Sequence, residues 1–104
     1  LSGLVKENKG GKMNNQVDEI RYSRSALKFI KSRTPKEKQH LKTIIEENLR
    51  TLPPKGDIKP LQGFGDGRKR LRVGGVRIIF TYDTDGKLLI LSIIDIGNRG
   101  DVYK

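Results

Sequence analysis

Cysteine is absent from the 104 residues. No disulfide can staple this fold, and the usual mark of a small secreted scaffold is missing. One histidine and no thiol exclude the common zinc sites, so neither a metal nor a cofactor is expected. Long apolar runs are lacking as well. The longest largely apolar stretch, Leu88–Ile94, is far short of the ~20 residues a membrane-crossing helix needs. No apolar N-terminal segment reads as a signal peptide. No helical pattern pairs a basic face with large aromatic anchors, which argues against a membrane surface. The expectation is a cytoplasmic chain with no membrane partner. Internal repeats and low-complexity runs are missing too, and the length fits one small domain with a modest core.

Acidic residues are scarce. Twelve of them face 22 lysines and arginines, for a net charge of +10 and a pI near 10.1. So basic a domain attracts polyanions, because each phosphate contact releases condensed counterions. The residues before Met13 carry Gly3, Gly10 and Gly11 interleaved with Lys6, Lys9 and Lys12. They read as a leader, with Met13 as the natural start and residues 14–104 as the domain. Three lysines against Glu7 account for only a small part of the charge, so the basic character belongs to the domain.

Val17–Tyr22 alternates Val17, Glu19 and Arg21 against Asp18, Ile20 and Tyr22, a first strand. Ser23 is placed to cap a short helix over Arg24–Ser32, with Ala26, Leu27 and Ile30 inward. Thr34-Pro35-Lys36-Glu37 combines a capping box with proline at the first helical position. Leu41, Ile44, Ile45, Asn48, Leu49 and Leu52 continue at helical spacing until Pro53-Pro54 stops the ladder. The two helices form an antiparallel pair. Lys55–Gly67, with its glycines and Pro60, reads as a loop.

Strands follow. Arg68–Val73 and Val76–Tyr82 flank the hairpin turn Gly74-Gly75. Asp83–Gly86 reads as a second turn, and Lys87–Ile96 as a strand buried on both faces. Gly97–Lys104 is a polar tail. The order β-α-α-β-β-β predicts an α+β fold, an antiparallel sheet with the helical hairpin packed on one face and the first strand paired non-locally.

Strand alternation puts Leu71 and Val73 on one face and Arg68, Arg70 and Arg72 on the other. Arg77, across the turn, joins them if register holds. Guanidiniums this close repel one another unless an anion sits among them. Two readings remain open from pattern alone. The face is solvated and uses its charge to block edge pairing, or it receives phosphate, whose oxygens the planar arginine fork binds in pairs. Upstream glycines, which let backbone approach a ligand, lean toward the second. After the last strand come Asn98, Arg99 and Tyr103. A tyrosine near a terminus commonly packs partly into the core. Here it follows a strand beside a basic face, where it can also take part in chemistry.

The run Arg68-Lys-Arg-Leu-Arg-Val-Gly-Gly-Val-Arg77 with Ile-Ile-Phe-Thr-Tyr after it, and the ending Ile96-Gly-Asn-Arg-Gly-Asp-Val-Tyr103, resemble the middle strands and C-terminal motif of the RelE/ParE toxin superfamily. The resemblance covers nearly everything after Met13. It implies the toxin of a type II toxin–antitoxin system, a RelE-like mRNA interferase that cuts mRNA in the ribosomal A site. The implied chemistry is metal-free attack of a ribose 2′-OH on the adjacent phosphate. The implied catalytic residues are Arg68, Arg70, Arg77, Arg99 and Tyr103, with Lys69, Arg72 and Asn98 as RNA contacts. Arg68 and Arg70 stand where the best-known member carries lysines, and Arg99 stands closer to the tyrosine than in relatives. Arginine stays protonated, so the proton acceptor falls to Tyr103, provided nearby cations depress its pKa. Lys69 points away from its arginine neighbours. The implied partners are a cognate antitoxin, the ribosome and mRNA. Two other functions fit the same fold: a ParE-like toxin that poisons gyrase, and an inactive antitoxin-binding member.

Overall fold

The computed structural model describes residues 16–98. In chain order the elements are β1 (Glu19–Tyr22), α1 (Arg24–Lys31), α2 (Pro35–Ile44) running into a π-helical turn (Ile45–Leu49), β2 (Asp57–Pro60), β3 (Lys69–Val73), β4 (Val76–Asp85) and β5 (Leu88–Asn98). The expected 1–13 leader, Arg99 and Tyr103 lie outside the described residues.

Both helices start where the sequence marks them. Ser23 Oγ accepts from the Ala26 N–H at 3.0 Å and donates to the Ile94 carbonyl at 2.5 Å, so one hydroxyl caps α1 and ties it to β5. At α2 the Thr34 hydroxyl accepts from the Glu37 N–H and the Glu37 carboxylate accepts from the Thr34 N–H. That reciprocal pair satisfies two of the donors a helix start leaves unpaired. Within α1, Ala26 is buried while Leu27 is largely exposed. The expected inward Leu27 is thus corrected: half-buried Phe29 packs on the core with Ile30 instead.

The end of α2 widens. The Arg50 N–H donates to the Ile45 carbonyl, five residues back. The last carbonyls are then taken by partners from elsewhere. Lys55 N–H meets Asn48 and Val17 N–H meets Arg50, and the Tyr82 hydroxyl meets Leu49 at 2.5 Å. Leu41, Ile44, Ile45 and Leu49 are buried against Leu71, Ile78, Phe80, Leu91, Ile93 and Ile96 from one face of the sheet, as the helical stripe predicts.

The sheet has five strands in the order β1-β5-β4-β3-β2. β1 runs parallel to β5, and the other pairs are antiparallel. The sheet is therefore mixed, and the non-local pairing of the first strand holds. Lys55–Gly67 is not wholly loop, because Asp57–Pro60 adds an edge strand against β3. Gly56 leads into it at φ +105°, where a Cβ would stand 2.8 Å from Leu71 Cδ1. Only glycine suits both the backbone and the space. The second hairpin turn lies at Gly86-Lys87, so β4 runs on through Asp85. A bulge in β5, where Ile79 pairs with Asp95 and Phe80 with Ile93, leaves Ile94 without a partner on β4 and shifts the alternation there.

Candidate nucleic-acid interface

Directly opposed residues of an antiparallel pair share a face. Leu71 opposes Ile78 on the helix-covered side. Arg70 and Arg72 therefore point to the open side, opposite Ile79 and Arg77. Two rows cross this open face. One holds Asp57, Arg72, Arg77 and Gly97, and the other holds Lys59, Arg70, Ile79 and Asp95. Gly97 brings no side chain beside Arg77.

The arginines do not stand alone. Asp57 of β2 bridges two of them, with Arg72 Nη2 at 3.1 Å and Arg70 Nη2 at 3.4 Å. Asp66, in the loop before β3, grips Arg68 at 2.7 and 3.1 Å. That contact holds the Asp66 carboxyl below its usual range and raises the Arg68 guanidinium further. Two carboxylates thus supply the anions that so dense a cluster requires. They fix guanidinium planes without cancelling the charge. Arg70 is more enclosed than Arg68 or Arg72, with a side chain 13% exposed, and its Nε finds no hydrogen-bond partner. Arg77 makes no ion pair among the described residues.

A cleft of about 450 Å³ opens on this side. Arg68 and Arg77 line it together with Ser25, Phe64, Ile79 and Asp95. Asp95 accepts from the Ser25 hydroxyl at 2.9 Å and from the Ile96 N–H at 3.0 Å, which joins the start of α1 to the cleft wall. Phe64 stands 55% exposed with the Arg68 guanidinium 4.2 Å from its ring centroid.

Arg68, Arg70, Arg72 and Arg77 therefore converge as strand alternation requires. Lys69 and Asn98 do not join them. Lys69 opposes Phe80 on the helix side. Asn98 opposes Val76 and lines a small pocket with Phe29, Arg33, Glu37, His40 and Leu41. Both fall on the other parity of the alternating side chains and so lie off the arginine face. Sequence reasoning passed over Asp57, Phe64, Asp66 and Asp95. Three of these come from the segment read as loop and the fourth, Asp95, from a polar position in the last strand, where no periodic signal marks them. Among the described residues no group of histidines and carboxylates is arranged to hold a metal ion.

No protein-family model matches the chain, and no curated protein matches it. Solved structures do. A chain of the RelB-RelE antitoxin-toxin complex from Methanococcus jannaschii is similar at 26% identity and a TM-score of 0.55, over 80% of this chain and 94% of that one. The archaeal RelE-RelB complex from Pyrococcus horikoshii OT3 is similar in fold at 23% identity and a TM-score of 0.51, over 79% of this chain and 94% of that one.

Proposed function

We propose, from the RelE-like fold of this chain, that it is the toxin of a type II toxin–antitoxin system and a ribosome-dependent endoribonuclease of the cytoplasm, with residues 14–104 as the toxin domain. The observation that carries the reading is the convergence of Arg68, Arg70, Arg72 and Arg77 on one open sheet face, with Arg68 and Arg77 in a shared cleft.

In this reading a ribose 2′-oxygen of mRNA in the A site attacks the adjacent phosphorus. The O2′–P bond forms and the P–O5′ bond breaks, leaving a 2′,3′-cyclic phosphate and a 5′-oxygen that takes a proton from water to leave as the hydroxyl. Negative charge gathers on the phosphoryl oxygens as this happens. Guanidiniums preset by Asp57 and Asp66 meet it without reorganising, the condition under which electrostatic stabilisation is largest. Tyr103 takes the 2′ proton and Arg99 adds a further cation, both roles carried over from the family resemblance. The antitoxin is an acidic or amphipathic segment that covers the arginine face and relieves its repulsion, a helix-in-groove mode of recognition.

The test adds the purified chain to translating ribosomes and maps mRNA ends. Cuts within A-site codons are expected. Arg77→Ala should slow cutting by about a hundredfold or more, the usual loss for one transition-state donor. Tyr103→Phe should do the same by removing the proton acceptor. Parent-level toxicity in both variants would sink the mechanism. Intact mRNA beside trapped gyrase–DNA complexes would transfer the chain to the ParE-like function.

A further inference from the structure

Phe64 has no place in the reaction just described, yet it stands in the cleft where that reaction would run. Leaving a phenylalanine more than half exposed forgoes much of the stabilisation that burying its ring would bring. The backbone on either side is set for this: Gly63 lies at φ +87° and Gly65 at φ +76°. Side-chain-bearing residues would be strained at both positions, and so the loop presents the ring rather than folding it inward. Arg68 lies over the ring at 4.2 Å, itself held by three contacts to the Asp66 carboxylate. The ring and the guanidinium form a pre-set stack in the cleft lining, with Arg77 on the same lining.

We infer that Phe64 is a stacking platform for one unpaired nucleobase of the RNA substrate. The inference rests on the RNA-cutting reading and deepens it. Bases flanking a strained phosphate must be splayed apart to align the 2′-oxygen with the bond it breaks. Every base has a π-face, so an aromatic ring grips any of them, while neighbouring cations track the backbone. Phe64 supplies the first part and Arg68 and Arg77 the second. Phe64 is thus a positioning residue: it holds a base so that the adjacent phosphate meets the arginines.

The chain contains no tryptophan, so Phe64→Trp installs a single indole at the proposed contact, excited selectively at wavelengths where tyrosine does not absorb. The full chain carrying Phe64→Trp is titrated with a 2′-O-methyl RNA oligonucleotide of mixed sequence, which cannot be cut, and with inorganic polyphosphate of matched charge. RNA should quench the emission to saturation, and polyphosphate should compete for binding without quenching. Phe64→Leu keeps an apolar side chain and removes the π-face. It should weaken RNA binding about five- to tenfold, the lower end of one base stack, and leave polyphosphate binding and the thermal melt unchanged. Emission that RNA leaves untouched, or Phe64→Leu binding RNA like the parent, would overturn the proposal and hand the ring to a protein partner. A chain that quenches with RNA but cuts no mRNA on ribosomes overturns the RNase reading alone. A chain that cuts normally as Phe64→Leu, with no quenching as Phe64→Trp, overturns the stack alone.

Discussion

Tyr82 does at the scale of one residue what the fold needs at its centre. Its ring packs edge-on against Phe80, 5.5 Å between centroids, and its hydroxyl closes the carbonyl of Leu49 at the frayed end of the second helix. Burial pushes the phenol up to about 12. A raised folded-state pKa means that the neutral form is favoured by folding. The stability this contributes is complete below the unfolded value of about 10 and is lost as pH rises from there toward 12. Tyr82→Phe leaves the Leu49 carbonyl without its donor and should cost about 1–2 kcal/mol near neutral pH. Denaturant unfolding of parent and variant across the alkaline range checks the sign. The gap between them should be constant up to about pH 10 and narrow above it. A gap that widened would contradict the burial argument.

At the scale of elements, what was legible followed from whether the determinant was local. The start of α2 is written in four adjacent residues, and Thr34→Ala should cost about 1 kcal/mol in urea unfolding, the usual loss of a cap. The Thr34 backbone N–H first, and its hydroxyl second, hold the Glu37 carboxyl below its ordinary range. In the Thr34→Ala variant an NMR titration of Glu37 should therefore move upward. The move is partial, because the backbone N–H of residue 34 survives the substitution, and an unmoved Glu37 would mean that the hydroxyl does not reach its carboxylate in solution. The hairpin of β3 and β4 was equally legible, because its turn and alternation are contiguous, and with it the shared face of Arg70, Arg72 and Arg77. β2 was not. It is four residues long and ends in Pro60, with only Ile58 partly covered. Its strand character comes from β3, which lies beyond a glycine-rich loop. The same non-locality hid the counter-charges. Asp57 becomes the partner of two arginines only once β2 pairs with β3. Asp95 and Phe64 enter the cleft only through the bulge and the loop. Lys69 shows the converse: contiguous alternation alone turned it from its arginine neighbours, and pairing with β4 sets it opposite Phe80.

At the scale of the whole molecule the question is whether a charge of +10 acts as a diffuse cloud or through one face. Lysines on α2 such as Lys36, Lys38 and Lys42 are exposed on the side away from the arginines, and each adds as much net charge as an arginine does. Counterion release separates the cases. Binding of a single-stranded RNA weakens with salt at a slope of about −0.7 for each phosphate engaged. A cloud lets every cation contribute a small and similar share, because screening beyond the ~8–10 Å Debye length leaves no one of them dominant. A face built from Arg68, Arg70, Arg72 and Arg77 concentrates the slope in those four, for about −3 in all. Arg77→Gln should then flatten the slope by about 0.7, whereas Lys36→Gln, an equal loss of net charge, should leave it in place. Fluorescence anisotropy of a labelled RNA oligomer between low and physiological salt reads both. Equal flattening by the two variants would mean that net charge, and not the sheet face, holds the RNA. The cluster would then be the solvated, edge-protecting surface that its sequence pattern equally allowed.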